Sequence, residues 1–263
     1  MGGLDVIDRR LVDVWERARA VLGADVRVRA VELGGSVAAG TADEWSDLDL
    51  QVIAHADRYD ELLADWPVWL GQITPTVFAR TPIAPFIVNA VTDDGLTVDF
   101  VIFRGEAMTF PPATDYVVGM LPARFAEVAD ALDYAVAEQL RGLAGPFVSL
   151  VHRREHLRQL AGVPHLLGLL TTVFLAELGT PPPGKLWNRT YTAEQLAAVA
   201  ALPPVGATHD GTVGFTVALA ELVVRRARPL FPRYGLVWPT ALAQVAARRL
   251  HDQLGLETSA WLH

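Results

Sequence analysis

Asp47 and Asp49 bracket Leu48, and that spacing is the most chemically suggestive in the chain. In a strand, residues i and i+2 project to one face, so the two carboxylates point together while Leu48 and Leu50 turn to the core. Adjacent carboxylates repel each other, and the usual stabiliser of such a pair is a divalent cation. Upstream, Gly35 and Ser36 form a small-residue turn that can present backbone N–H groups and a hydroxyl to an anion. A third acid, Asp99, interrupts the apolar run Leu96-Thr97-Val98-Asp99-Phe100-Val101-Ile102-Phe103. A carboxylate in that setting is costly to bury unless it is paired or bound to metal. A phosphate cradle beside a metal-binding acid cluster suits chemistry at a nucleotide phosphate.

Taken in order, Gly35-Ser36, the spacer, Asp47-Leu48-Asp49 and the strand acid Asp99 resemble the signature of the nucleotidyltransferase superfamily. The run Gly40-Thr41-Ala42-Asp43-Glu44-Trp45-Ser46-Asp47-Leu48-Asp49 and the chain length are similar to the aminoglycoside and lincosamide nucleotidyltransferases. Val37, Ala38 and Ala39 stand where many members carry a basic or bulky polar residue, a departure that touches the phosphate contacts and not the metal site. The resemblance implies a Mg²⁺-dependent enzyme that moves AMP from ATP, or another NMP from its NTP, to a hydroxyl of a small molecule such as an aminoglycoside or lincosamide antibiotic. It assigns Asp47, Asp49 and Asp99 as metal ligands and catalytic residues, and Gly35 and Ser36 as contacts to the β- and γ-phosphates. Asp99 would complete the metal site and could also accept the proton of the attacking hydroxyl, and which role dominates stays open. Three other readings stay open: a protein or tRNA acceptor, as in toxin–antitoxin nucleotidyltransferases; a glycosyltransferase, where Asp-x-Asp also binds metal; and a binding module without catalysis.

Other residues carry weaker signals. Lys185, the only lysine, follows Pro181-Pro182-Pro183-Gly184 and reads either as a point charge reaching the triphosphate or as an exposed loop residue. Glu127, Asp130, Tyr134 and Glu138 share one face of a predicted helix, suited to the amines of a cationic ligand or simply solvated. His152 and His156 fall i,i+4 on a predicted helix with Glu155 between them, but Arg153 and Arg154 place two cations beside any metal, so a zinc site is not expected. Arg153, Arg154 and Arg158 read first as a charged helix surface and second as groups facing the nucleotide, and Trp45 reads either as packing near the nucleotide or as core or loop packing.

These residues need elements to hold them. Ile7, Leu11, Val14, Ala18 and Val21 or Leu22 recur as a helical stripe. Strands are predicted over 26–33, 48–54, 75–80, 86–92 and 96–103, with a helix at 57–70 and a hairpin turn at Asp93-Asp94-Gly95. After a linker at 104–115, helices are predicted at 121–142, 147–178, 192–202, 212–229 and 239–254. The expected class is α+β: a mixed-sheet nucleotidyltransferase domain over residues 1–110, then a helical bundle domain over 111–263, with the active cleft between them.

Composition narrows the partners. The chain has no cysteine, which removes disulfides and thiolate zinc sites. A net charge of −8 disfavours nucleic-acid grip and favours a small, cationic or neutral substrate. The nearly uncharged run at 159–176 reads as short for a membrane span, and no signal-like block opens the chain, so a cytoplasmic protein is expected. Monomer and homodimer both remain open.

Overall fold

A computed structural model describes residues 4–81, 86–105, 125, 127–179 and 187–262. The chain divides into two compact units, Met1–Ala113 and Thr114–His263.

The first unit opens with α1 (Arg9–Gly23), whose start is capped by the Asp8 carboxylate accepting from the Arg10 N–H at 2.9 Å. Its buried face is Leu11, Val14, Trp15, Ala18 and Leu22, close to the predicted stripe. Five strands follow: β1 (Val28–Leu33), β2 (Leu48–Ala54), β3 (Thr76–Arg80), β4 (Ile87–Thr92) and β5 (Thr97–Arg104). Between β1 and β2 lies the short α2 (Gly35–Ala39). Between β2 and β3 the expected single helix is two, α3 (Tyr59–Ala64) and α4 (Trp66–Ile73). The break falls at Asp65, two residues before Pro67, whose ring nitrogen cannot donate the helical hydrogen bond to Leu63 and whose ring would clash with that carbonyl.

The sheet order is β1-β2-β5-β4-β3, with β2 and β5 parallel and the other pairs antiparallel. Leu48, Leu50 and Val52 of β2 and Val98, Phe100 and Ile102 of β5 share one face and are buried in one core with α1 and α4. Trp69 meets Phe100 edge to face at 5.1 Å there. Strand alternation then sends Asp49 and Asp99 to the opposite face.

The second unit is helical. It contains α5 (Val128–Ala144), α6 (Pro146–His152), α7 (His156–Leu178), α8 (Trp187–Thr190), α9 (Ala193–Ala200), α10 (His209–Ala227), α11 (Leu230–Arg233), α12 (Thr240–Leu254) and α13 (Ser259–Leu262). Helix α5 packs against α7, α10 and α12 and is buried nearly all round. Tyr134 and Glu138, read from sequence as members of a polar face, are therefore interior residues.

The predicted helix 147–178 is broken. α6 ends in a left-handed turn at Arg154 (φ 55°), where the Glu155 N–H bonds the Leu150 carbonyl at 2.9 Å and the Arg154 N–H bonds Val151 at 3.1 Å. His152 and His156 thus sit on different helices, which removes the i,i+4 spacing itself. By length and composition α7, with 23 residues, is long and apolar enough to cross a membrane, longer than the run at 159–176 suggested; 61% of its apolar 18-residue window is buried, as in a core helix. The linker expected at 104–115 and the proline-rich stretch at 181–184 lie almost wholly outside the described residues.

Candidate active site

Parallel pairing of β2 with β5 puts Asp49 directly beside Asp99 in register. Asp47 lies one residue before β2, on the same side as Asp49. One carboxylate oxygen from each of Asp47, Asp49 and Asp99 lies within 4.8 Å of the others, and all three residues are half-buried. Burial, reinforced by the charges of Asp47 and then Asp99, pushes the Asp49 carboxyl up to about 7. A cluster that resists ionisation this way is relieved by a cation. Oxygen-only, carboxylate donors suit a hard ion such as Mg²⁺ and not a soft one.

The turn between β1 and α2 is built against these acids. The Gly34 N–H donates to the Asp49 carbonyl at 2.8 Å, tying the turn to β2. Gly35 has φ +53°, and a Cβ there would lie 1.7 Å from Asp49 Oδ2, so only glycine leaves room for the carboxylate. Next to it, the Ser36 Oγ is buried and has no hydrogen-bond partner among the described residues. A buried hydroxyl without a partner carries a desolvation cost. The structure brings Asp47, Asp49 and Asp99 together in a cluster that could hold a cation, with the Gly35-Ser36 turn packed against Asp49. Lys185 lies outside the described residues.

The loop leading to Asp47 carries bracing that the sequence reading passed over. The Asp43 side chain accepts from the Trp45 N–H at 3.0 Å and from the Ser46 hydroxyl at 3.0 Å, and the Asp43 N–H donates to Ser46 Oγ at 3.0 Å. Ser46 is buried, so this closed turn fixes the direction in which the chain enters β2. Asp followed three residues later by Ser was the available signal. Trp45 is half-buried within the same turn.

Register also extends the acid row across the sheet. Asn89 of β4 pairs with Asp99, and Arg80 of β3 pairs with Asn89, so Asp49, Asp99, Asn89 and Arg80 lie in one row on one face. Asn89 interrupts the apolar run Ile87-Val88-Asn89-Ala90-Val91 as Asp99 interrupts its own, and the same reasoning would have found it. Among the helical residues, Glu138 forms an ion pair with Arg141 at 2.9 Å, with a second hydrogen bond from Arg141 Nε at 3.0 Å. Its charge is already matched, which argues against the amine-binding role considered from sequence.

Residues 14–107 match the nucleotidyltransferase domain family. No curated protein matches the chain by sequence. Among solved structures, the chain is similar to an aminoglycoside 6-adenyltransferase from Bacillus subtilis at 13% identity and a TM-score of 0.39, over 89% of this chain and 94% of that one.

Proposed function

We propose that this chain, whose residues 14–107 match the nucleotidyltransferase domain family, transfers AMP from ATP to a hydroxyl of a small molecule and releases pyrophosphate. The observation that carries the reading is the convergence of Asp47, Asp49 and Asp99, with one oxygen of each within 4.8 Å of the others. Asp47 and Asp49 would hold one or two Mg²⁺ ions, with Asp99 completing the set. When bound, the cation neutralises charge building at the α-phosphorus and on the departing pyrophosphate.

The remaining roles fall to the chain's own groups. The Gly35 turn and the Ser36 hydroxyl would steady the β- and γ-phosphates, which keeps the α-phosphorus facing the acceptor. Asp99 would take the proton of the acceptor hydroxyl as its oxygen bonds to phosphorus and the bridge to the β-phosphate breaks. Gly35 sets the distance between turn and acids, because any side chain there collides with Asp49. The acceptor proposed is a cationic or neutral small molecule of the aminoglycoside or lincosamide type, supported by the net charge of −8.

The experiment is mass spectrometry of reactions containing Mg²⁺, each of the four NTPs, and a panel of aminoglycosides and lincosamides. A nucleotidyl adduct on one compound, absent with Asp49→Asn, is the expected result. Absence of any adduct, with Mg·ATP still bound, would overturn the small-molecule acceptor.

A further inference from the structure

Asn89 is a buried polar group on the acid face of the sheet that the roles above leave without a task. Val88 and Ala90 on either side of it are 0% and 1% exposed and belong to the core on the other face. Strand alternation therefore stands Asn89 on the face that carries Asp49 and Asp99, and its 9% of remaining exposure lies there. Its carboxamide makes no hydrogen bond among the described residues. An amide taken that far out of water without a partner costs stability, and asparagine is also depleted in strands. Folding alone gains nothing from this residue.

The ladder brings Asn89 close to Asp99. The Ile102 N–H donates to the Phe86 carbonyl at 2.8 Å, and the Thr92 N–H donates to the Leu96 carbonyl at 3.0 Å. In that register the hydrogen-bonded pairs fall at even positions of β4, so Asn89 and Asp99 form a non-hydrogen-bonded pair. Cα atoms of such pairs approach to about 4.5 Å and their side chains stand closest. The amide thus borders the acid cluster from the β4 side. On the opposite side, the Gly35 turn packs against Asp49.

We infer that Asn89 is the residue that seats the acceptor, holding a group beside its reacting hydroxyl. The inference rests on the transfer reading above and adds to it the acceptor's side of the site. Attacking and leaving oxygens lie roughly in line across the phosphorus. With the β- and γ-phosphates steadied at the Gly35-Ser36 turn, pyrophosphate departs toward β1, and the incoming hydroxyl approaches from β5 and β4. Asn89 is one strand beyond Asp99, about 4.8 Å across the sheet, within reach of an acceptor whose hydroxyl gives its proton to Asp99. The carboxamide offers a donor and an acceptor together, which matches a hydroxyl. Past Asp99 that row holds the amide of Asn89 and the guanidinium of Arg80 and no carboxylate. The group seated there is accordingly an uncharged hydrogen-bonding one, such as a second hydroxyl, and not an ammonium.

The test takes kanamycin, streptomycin and lincomycin as probes on the full chain. Asn89→Leu keeps the volume and removes both hydrogen-bonding groups, whereas Asn89→Ser keeps a hydroxyl that can donate and accept. For the probe that the parent nucleotidylates, Asn89→Leu is expected to raise the KM at least tenfold while the KM for Mg·ATP stays within twofold. Asn89→Ser is expected to recover most of that loss. Calorimetry supplies a readout apart from turnover. With Mg²⁺ and α,β-methylene-ATP, whose bridge cannot release pyrophosphate, the same probe should bind Asn89→Leu at least tenfold more weakly than the parent. The Tm of free Asn89→Leu should equal or exceed the parent's, because an apolar group replaces an unpaired buried amide. Unchanged KM and Kd for the probe, an equal rise in both KM values, or a lower Tm with both affinities lost would overturn the inference and leave the transfer reading intact. No adduct on any probe with the parent would overturn the transfer reading, and this inference with it.

Discussion

Replacing Asp49 by Asn removes a charge while keeping the shape, so it separates the catalytic cost of this carboxylate from its structural cost. The variant is expected to lose nucleotidyl transfer by several orders of magnitude while circular dichroism is unchanged. Its effect on stability has a definite sign. The folded-state pKa near 7 lies above the ordinary value of 3.8, so the folded protein holds this proton more tightly than the unfolded chain does. The group therefore favours folding below about pH 4, and that contribution is lost as pH rises through 7. In chelator, Asp49→Asn should melt higher than the parent at pH 8, by several degrees, with the advantage shrinking toward pH 4; a gap independent of pH would contradict the burial and repulsion described. At Gly35 a methyl group has no place. Gly35→Ala should cost about 1–2 kcal/mol for the left-handed backbone, and displacing Asp49 should slow turnover by about 10²-fold. Turnover near the parent rate would show that the turn does not set the carboxylate position.

Among the elements, the break between α6 and α7 gives a clean test. Arg154 occupies the left-handed position that closes α6, with Arg154 N–H to Val151 and Glu155 N–H to Leu150, a place where glycine is preferred. Arg154→Gly is expected to raise stability by about 1 kcal/mol, read as an upward shift of the denaturant midpoint with unchanged m-value. A loss of stability would mean that the Arg154 side chain contributes more than its backbone costs. Local pattern located the five strands well because each alternates or runs apolar between turn residues. The same method missed the break at Arg154, since no glycine or proline marks it and the apolar pattern continues on both sides. Glu138 was misread for a related reason: periodicity identifies the most apolar face of a helix, and α5 is packed on nearly every side.

For the molecule as a whole, the net charge of −8 carries a prediction about partners. Proteins that hold RNA or DNA draw most of their affinity from phosphate contacts, so this chain should pass through an immobilised polyanion column without retention at moderate salt. Retention that weakens steeply with salt would instead favour a tRNA acceptor over a small molecule. The two units have separate interiors. In the first, one sheet face is closed by α1 and α4 and carries the strand residues that alternate with the acids. In the second, α5 is wrapped by α7, α10 and α12.

By itself the sequence determined what is local: the acids two apart on a strand, the glycine-serine turn before them, an Asp inside an apolar strand, and the periods that separate sheet from helices. Those signals are short-range, because backbone alternation and turn chemistry act over a few residues. Only the tertiary structure decided that β5 enters the sheet beside β2, setting Asp99 against Asp49, and that Asn89 and Arg80 continue the same row. Strand order and register depend on which apolar faces close over one another, and no window of sequence contains both partners. The collision that reserves Gly35 for glycine and the pairing of Glu138 with Arg141 belong to that second class, since each is a relation between groups brought together by folding.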